Sequence, residues 1–156
     1  MTSRAVERRA ERAGDSAFLF GLFAASQGAA LAGVEPALRE ALLRHQFAGQ
    51  TATYRANAPD GRFEIVEYGG VPVGRVASRL DADALVVVDI AVLPAWQGRG
   101  IGTAVLGAMK DSARAAGVPL RLSVLRSNAG ARRLYRRLAF VETVETDLHI
   151  DLRWTP

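Results

Sequence analysis

The sequence predicts an α/β (α+β) protein in which a mixed, largely antiparallel central sheet carries helices on both of its faces. Three observations carry this prediction: a strongly alternating hairpin pattern in mid-chain, a long apolar strand after it, and two helical periodicities after that strand. The predicted order is β-α-α-β-β-β-α-β-α-β-β. Because this order is not a regular βαβ series, it favours a mixed sheet, and a chain of 156 residues suits a single domain spanning residues 1–156.

The first third of the chain is predicted to form one strand and two helices. A short strand is expected over residues 4–9, and Asp15 is a candidate N-cap for a helix over 16–26. Pro36 suits the first turn of a second helix that continues to about residue 56. Gly49 is a candidate break near the middle of that helix.

The hairpin and the apolar strand occupy the middle of the chain. The stretches "RFEIVEY" and "VPVGRVASRL" alternate on either side of "GG", which is typical of two paired strands and their turn. After the turn "DAD", the run "ALVVVDIAVL" predicts a long buried strand that ends at Pro94. A helix is expected from about Gly100, because four apolar residues recur at every fourth position: Ile101, Val105, Met109 and Ala113.

The last third alternates strands with one short helix. Gly117 and Pro119 suit the end of the preceding helix, as a C′ glycine and the proline that often follows it. The run "PLRLSVL" predicts the next strand, and Asn128 begins a short helix. Two strands near 140–145 and 147–153 complete the chain. The apolar face of the short helix holds Ala131, Leu134, Tyr135 and Leu138.

Composition excludes several classes of function. The absence of cysteine excludes disulfides, thiol catalysis and cysteine-based metal sites; it fits a cytoplasmic protein, and we expect no metal. The net charge of +4 comes almost wholly from arginines spread among acids, so we expect an anionic cofactor or an arginine-rich genome rather than a nucleic-acid partner. The apolar run "AFLFGLFAA" is too short to cross a membrane, and acids precede it, so we expect a buried helix and no membrane partner.

The stretch "WQGRGIG", residues 96–102, joins the apolar strand to the following helix. Free backbone amides and the helix dipole at such a junction favour an anion. A phosphate-binding loop of the G-x-x-x-x-G-K-[ST] type does not fit, because no lysine precedes Thr103. A G-x-G-x-x-G dinucleotide fingerprint also fails, since Thr103 or Val105 stands where its third glycine belongs.

A third pattern, Q/R-x-x-G-x-G/A, is matched in full by Gln97, Gly100 and Gly102. With it the chain resembles the GNAT superfamily of N-acetyltransferases, and "DIAVLP" looks like the bulged fourth strand of that family. The later segment "NAGARRLYRRLAF", residues 128–140, is similar to the N-x-x-A-x-x-L-Y signature of the family. The resemblance covers residues 60–145, and more loosely the earlier chain, which looks like a bacterial subgroup of unassigned acceptor. It departs at Ala139, where the family usually has glycine.

The resemblance implies a GNAT-like fold and acetyl-CoA-dependent transfer of an acetyl group to a primary amine, by direct attack in a ternary complex. In the family this loop cradles the coenzyme A pyrophosphate, while the bulged strand binds the pantetheine arm and polarises the acetyl carbonyl through a backbone amide. Asn128 either caps its helix or binds pantetheine, and Arg99 either touches a phosphate or is solvated. The expected cofactor-binding residues are Ile90, Ala91, Val92, Gln97, Gly98, Arg99, Gly100, Ile101, Gly102, Thr103 and Asn128.

Two residues are candidates for the proton chemistry. Tyr135 matches the family's tyrosine, a phenol that stays protonated at neutral pH and can donate to the leaving thiolate. Asp89 lies in the apolar strand, directly before the expected bulge, and is either a catalytic base or the partner of Arg75 in a structural ion pair. His45 and His149 are expected to be surface or packing residues.

The acceptor is expected between the first two helices and the last hairpin. Gln50 and Tyr54, one helical turn apart, either line this pocket or pack against the fold. The acidic run "ETVETD" either attracts a cationic amine or is solvated. Small-molecule and peptide amines both suit the scaffold. A homodimer is a further expectation from the resemblance, and the alternative function is an acyl-CoA sensor without turnover.

Overall fold

The fold is built on one seven-stranded sheet, seen in a computed structural model that describes residues 5–156. The strands lie in the order β1-β2-β3-β4-β5-β7-β6, and every neighbouring pair is antiparallel except β4 with β5. The predicted mixed, largely antiparallel sheet is therefore confirmed. The strands are β1 (Val6–Ala10), β2 (Arg62–Tyr68), β3 (Val71–Leu80), β4 (Leu85–Val92), β5 (Leu120–Leu125), β6 (Val141–Glu145) and β7 (His149–Trp154).

Four helices cover the sheet: α1 (Ser16–Gln27), α2 (Pro36–Asn57), α3 (Ile101–Ala116) and α4 (Ala129–Arg137). The helix α2 runs without interruption for 22 residues, so the break considered at Gly49 is wrong. One glycine costs about 1 kcal/mol in a helix interior. The helix begins as predicted at Pro36, where the Glu35 carboxylate accepts the amides of Ala37 and Leu38 at 3.2 and 3.0 Å. None of the helices among residues 5–156 is long and apolar enough to cross a membrane.

The main core lies between the sheet and α3. The predicted apolar stripe of α3 is confirmed, because Ile101, Val105, Met109 and Ala113 are all buried. They pack against buried strand residues that include Val76, and together these side chains form one hydrophobic cluster. This packing holds the beginning of α3 against the end of β4, where the glycine loop lies.

Asp15 lies at the predicted N-cap position of α1, but its side chain makes no capping hydrogen bond to that helix. Its carboxylate does not cap α1; instead it accepts the Arg12 amide at 2.7 Å and two bonds from the Arg9 guanidinium, both 2.8 Å. The predicted cap of α1 is therefore wrong, because a charged partner on β1 and the preceding 3-10 turn take both oxygens. Arg9 and the Arg12 amide hold the pKa of Asp15 at about 2.

Candidate active site

A cleft of about 710 Å³ opens at the end of β4 and gathers the predicted cofactor residues. The ends of β4, the glycine loop, α4 and one side of α1 form its walls. All of the predicted cofactor-binding residues line it except Arg99, and Tyr135 lines it as well. The other lining residues are Leu22, Ser26, Pro94, Trp96, Gly130, Ala131, Leu134 and Arg137.

The cleft exists because β4 and β5 separate. Their parallel pairing ends at Val87 and Leu122, so the rest of β4 has no neighbour on that side among the described residues. The Leu93 amide donates to Val73 on the β3 side at 2.8 Å. Because backbone groups alternate along a strand, Ile90 and Val92 turn their amides toward the gap. The Gln97 side-chain amide spans that gap and donates to the Val92 carbonyl at 3.0 Å.

The bulge of β4 lies two residues earlier than predicted. Ala77 pairs with Asp89 and Ser78 with Val87, which leaves Val88 as the extra residue. Asp89 therefore follows the bulge directly instead of preceding it. A bulge re-aims the side chains after it and bends the strand, so it accounts for both the position of Asp89 and the separation from β5.

The glycine loop exposes a row of backbone donors. Gly98 and Gly100 have φ angles of +74° and +79°, in the left-handed region that side chains rarely adopt, and α3 begins at the next residue. Among the described residues, no amide from Gly98 to Thr103 donates to a backbone carbonyl. These donors and the positive end of the α3 dipole fit a pyrophosphate. Gly102 also permits close packing, since a Cβ there would lie 3.4 Å from Leu134.

Tyr135 reaches the cleft from the buried face of α4 and is 6% exposed. Its ring packs edge-on against Phe140, with ring centroids 5.7 Å apart, and its carbonyl accepts the Phe140 amide at 3.0 Å. Burial, with a smaller contribution from Asp89, raises the pKa of Tyr135 to about 12. The hydroxyl therefore stays protonated throughout the physiological pH range.

Asp89 and Arg75 form the ion pair that the sequence offered as one alternative. Arg75 Nε lies 3.1 Å from Asp89 Oδ2, and the Arg75 side chain is 8% exposed. The Tyr54 ring lies beneath this guanidinium, 5.2 Å from ring centroid to Cζ. Burial raises the pKa of Asp89, against the opposing effects of Arg75 and the Ile90 amide. The Asp89 carboxylate in turn contributes to raising the pKa of both Tyr54 and Tyr135.

A second, smaller cavity of about 100 Å³ lies under α1 and α2. Tyr54, a candidate for the acceptor pocket, lines this cavity, whereas Gln50 lines neither the cavity nor the cleft. Thr51 was not among the sequence candidates, although the spacing of Phe47, Thr51 and Tyr54 places them on one face of α2. The lining residues of this second cavity are Glu11, Ser16, Leu19, Phe47, Thr51, Tyr54, Arg55, Phe63 and Arg75.

The remaining polar candidates have specific partners. Asn128 caps α4 by accepting the Ala131 amide at 3.1 Å, and it also lines the cleft. Arg99 stacks over Trp96, 4.8 Å from Cζ to ring centroid. Among residues 5–156, no group of three or more histidine, aspartate or glutamate side chains is arranged to hold a metal ion.

The acidic run of the last hairpin is largely neutralised by arginines. Glu142 accepts from Arg132 and Arg136, both at 3.1 Å, and these arginines lower the pKa of its carboxyl. Glu145 pairs with Arg126 at 2.8 Å. These pairs weaken the alternative in which the run attracts a cationic acceptor.

The family model of the GNAT acetyltransferase family matches residues 31–140. The chain belongs to this family. The enzyme is therefore an acetyltransferase that uses acetyl-CoA, as the glycine loop and the tyrosine signature led us to expect. A comparison with curated protein sequences found no match.

Solved structures of similar fold include the PaiA N-acetyltransferase from Thermoplasma acidophilum in complex with coenzyme A. It is 15% identical, with 97% of this chain and 99% of that chain covered and a TM-score of 0.76. An acetyltransferase from Thermus thermophilus is 21% identical, with 99% of each chain covered and a TM-score of 0.72. The ribosomal-protein-S18-alanine N-acetyltransferase from Escherichia coli is 21% identical, with 96% and 92% covered and a TM-score of 0.67. At these identities the likeness establishes the fold.

Proposed function

We propose that the enzyme, as a single domain, transfers the acetyl group of acetyl-CoA to a primary amine by direct attack in a ternary complex. The observation that carries this proposal is the gap between β4 and β5. The gap opens unpaired strand backbone onto the same cleft as the glycine loop and Tyr135. Holding both reactants in such a cleft can supply much of the rate acceleration.

The glycine loop holds the pyrophosphate in this proposal. The amides of Gly98 to Thr103 donate to its oxygens, and the Asn128 side chain lies beside the path of the pantetheine arm. The arm runs along β4 in place of the missing strand and pairs with the backbone of Ile90 and Val92, which has no strand partner on that side among the described residues.

The same strand polarises the acetyl carbonyl. Bound acetyl-CoA supplies the thioester, and the Ile90 or Val92 amide donates to its carbonyl oxygen as negative charge develops there. One donor of this kind is typically worth about 3 kcal/mol in the transition state. Because the strand fixes these amides before substrate binds, little reorganisation is needed.

Tyr135 and Asp89 handle the protons. The Tyr135 hydroxyl donates to the sulfur as the carbon–sulfur bond breaks, since it is buried, protonated and on the cleft wall. Asp89, held by Arg75, accepts a proton from the attacking amine. The acceptor enters from the side of α1 and α2, where Tyr54 contacts the Arg75–Asp89 pair and Gln50 lies one turn away.

Thermal denaturation with acetyl-CoA, CoA, NAD and ATP in turn tests the binding part of the proposal. Ligand at 100 times its dissociation constant adds about 2.7 kcal/mol, a shift of roughly 5–11 °C for a domain of this size. We expect the shift with acetyl-CoA and CoA only. Its absence with both would refute the assignment of the glycine loop.

Tyr135→Phe tests turnover and separates an enzyme from an acyl-CoA sensor. We expect a loss of kcat of about 100-fold or more, typical of a lost general acid, with an unchanged KM for acetyl-CoA. Tyr68→Phe is the matched control, because Tyr68 stacks on Trp96 with ring centroids 5.6 Å apart and does not line the cleft. Equal rates in the two variants would remove Tyr135 from the mechanism.

A further inference from the structure

The small cavity under α1 and α2 contains polar atoms that the fold does not satisfy. Thr51 Oγ1 and Arg75 Nε are both buried, and neither has a hydrogen-bond partner among residues 5–156. Arg75 Nε is close to Asp89 Oδ2 but is not oriented to bond to it. Buried polar groups without partners are rare in native proteins, because each loses its hydrogen bonds to water without replacing them.

The chemistry of the cavity walls selects an anionic occupant. An apolar group would leave Thr51 and Arg75 unsatisfied, and a cation would meet the Arg75 guanidinium. The other arginine of the lining, Arg55, is already occupied, because it pairs with Glu11 at 2.9 Å and stacks over Phe63 at 3.7 Å. Arg75 also has a carboxylate close by, Asp89 at 3.1 Å, but its Nε makes no hydrogen bond, so Arg75 is the arginine of the lining with a donor left to offer, and the Thr51 hydroxyl lines the same cavity.

The size of the cavity admits a carboxylate. Its volume of about 100 Å³ leaves room for a small polar group. A planar guanidinium is also the side chain best suited to bind a carboxylate through two parallel hydrogen bonds.

Asp89 places an opposite charge directly beside this cavity. Its carboxylate is 3.1 Å from Arg75, which lines the small cavity, and Asp89 directly precedes Ile90, which lines the cleft. A ligand that extends from Arg75 toward Asp89 thus meets a cationic group and then, within a few ångströms, an anionic one. A free α-amino acid carries the complementary charges on groups that a single carbon separates.

We propose that the small cavity is a carboxylate subsite formed by Arg75 and Thr51, and that the acetyl acceptor is a free α-amino acid. This inference rests on the proposed acetyl transfer and specifies its acceptor. The amino nitrogen attacks the thioester carbon, a carbon–nitrogen bond forms, and the carbon–sulfur bond breaks. The ammonium loses two protons in all; one is released to solvent through Asp89, and the other replaces the proton that Tyr135 gives to the sulfur.

The test measures thiol release from acetyl-CoA with matched acceptors. The acceptors are the proteinogenic amino acids, their C-terminal carboxamides, and simple amines without a carboxylate. We expect at least one amino acid to exceed its carboxamide by at least tenfold in kcat/KM, which corresponds to about 1.4 kcal/mol. Parallel titrations of the CoA complex with the same compounds measure binding without turnover.

Two variants of Thr51 make the test specific to the cavity. Thr51→Val replaces the hydroxyl with a methyl group of similar shape, so the fold should be retained, as its thermal midpoint will show. We expect it to raise the KM for the amino acid at least threefold, with the KM for acetyl-CoA unchanged. Thr51→Ser keeps the hydroxyl and should keep the preference for the carboxylate.

Three results would overturn the subsite: carboxamides used as well as acids, an unchanged preference in Thr51→Val, or no amino acid that either reacts or binds. If a carboxylate-free amine is acetylated in any of these cases, acetyl transfer stands and only the acceptor class is wrong. If acetyl-CoA itself neither stabilises the protein nor supports turnover with any amine, the proposed function fails, and the subsite proposal fails with it.

Discussion

Replacing Ala139 with glycine should stabilise the protein without altering its chemistry. Ala139 follows α4 with a φ angle of +64°, and it is the one non-glycine residue with positive φ among residues 5–156. Its amide donates to the Arg136 carbonyl and the Phe140 amide donates to the Tyr135 carbonyl, both at 3.0 Å. This is the Schellman pattern in which glycine is the usual residue, and here it holds the end of the helix that carries Tyr135.

The expected gain follows from two opposing effects. An L-residue in the left-handed conformation costs about 1–2 kcal/mol, which glycine avoids. Glycine in turn makes the unfolded chain more flexible, which costs roughly 0.4–1 kcal/mol. The net stabilisation by Ala139→Gly should be about 0.5–1 kcal/mol, or a rise of roughly 1–4 °C in the thermal midpoint.

The chain offers a matched control at the end of α3. Gly117 has a φ angle of +69°, its amide donates to the Arg114 carbonyl at 3.0 Å, and the Val118 amide donates to the Ala113 carbonyl at 3.1 Å. A Cβ at Gly117 would meet no described atom within 4 Å, so Gly117→Ala changes backbone energy alone. It should destabilise the protein by a similar amount.

Urea denaturation of both variants measures the two free energies of unfolding. The reasoning would be refuted if Ala139→Gly left stability unchanged or lowered it while Gly117→Ala behaved as expected. In that case the left-handed conformation of Ala139 would not be a source of strain.

Three further predictions concern the sheet, the glycine loop and the N-terminal ion pair. Gly74→Ala would place a Cβ 2.4 Å from the Ala91 carbonyl oxygen, so it should separate β3 from β4 and lower the thermal midpoint by several degrees; an unchanged midpoint would contradict this contact. Gly100→Ala strains a φ of +79° and should weaken CoA binding in calorimetry by about tenfold, and unaltered affinity would exclude the loop from the site. Asp15→Asn should destabilise the protein at neutral pH. The pKa of Asp15 is lowered in the fold, so its contribution is present above the ordinary value and is lost as the pH falls through about 2; at a pH well below that value, wild type and variant should unfold at the same urea concentration. A difference that persists at that pH would mean that the charge of Asp15 is not responsible.

Local patterns were sufficient for the order of the elements and for the position of the glycine loop. The alternation of the hairpin, the stripe from Ile101 to Ala113 and the glycines of the loop each follow from neighbours in the chain, and the structure confirms those elements. The glycine loop could be located because its anion-binding groups belong to consecutive residues. The hydrogen-bonding and steric effects behind these patterns act over a few neighbouring residues, so a single sequence is enough to predict them.

The errors arose where distant residues decide the outcome. Asp15 was expected to cap α1, but Arg9 on β1 is close only once the sheet has formed and binds both of its oxygens. Gly49 was a candidate break, yet α2 continues through it, since one glycine costs only about 1 kcal/mol in a helix interior. The position of the bulge at Val88 depends on the register with β3, which one strand cannot reveal by itself.

The sequence by itself determined the kind of fold, the family and the loop that suits a pyrophosphate, because short-range patterns specify each of them. Only the tertiary structure decided that β4 separates from β5, that Asp89 pairs with Arg75, and that Thr51 and Arg75 line the same small cavity. These features bring together residues from α2, β3 and β4 that are far apart in the chain. Their distances and burial are set by the packing of whole elements, and no local rule contains that information.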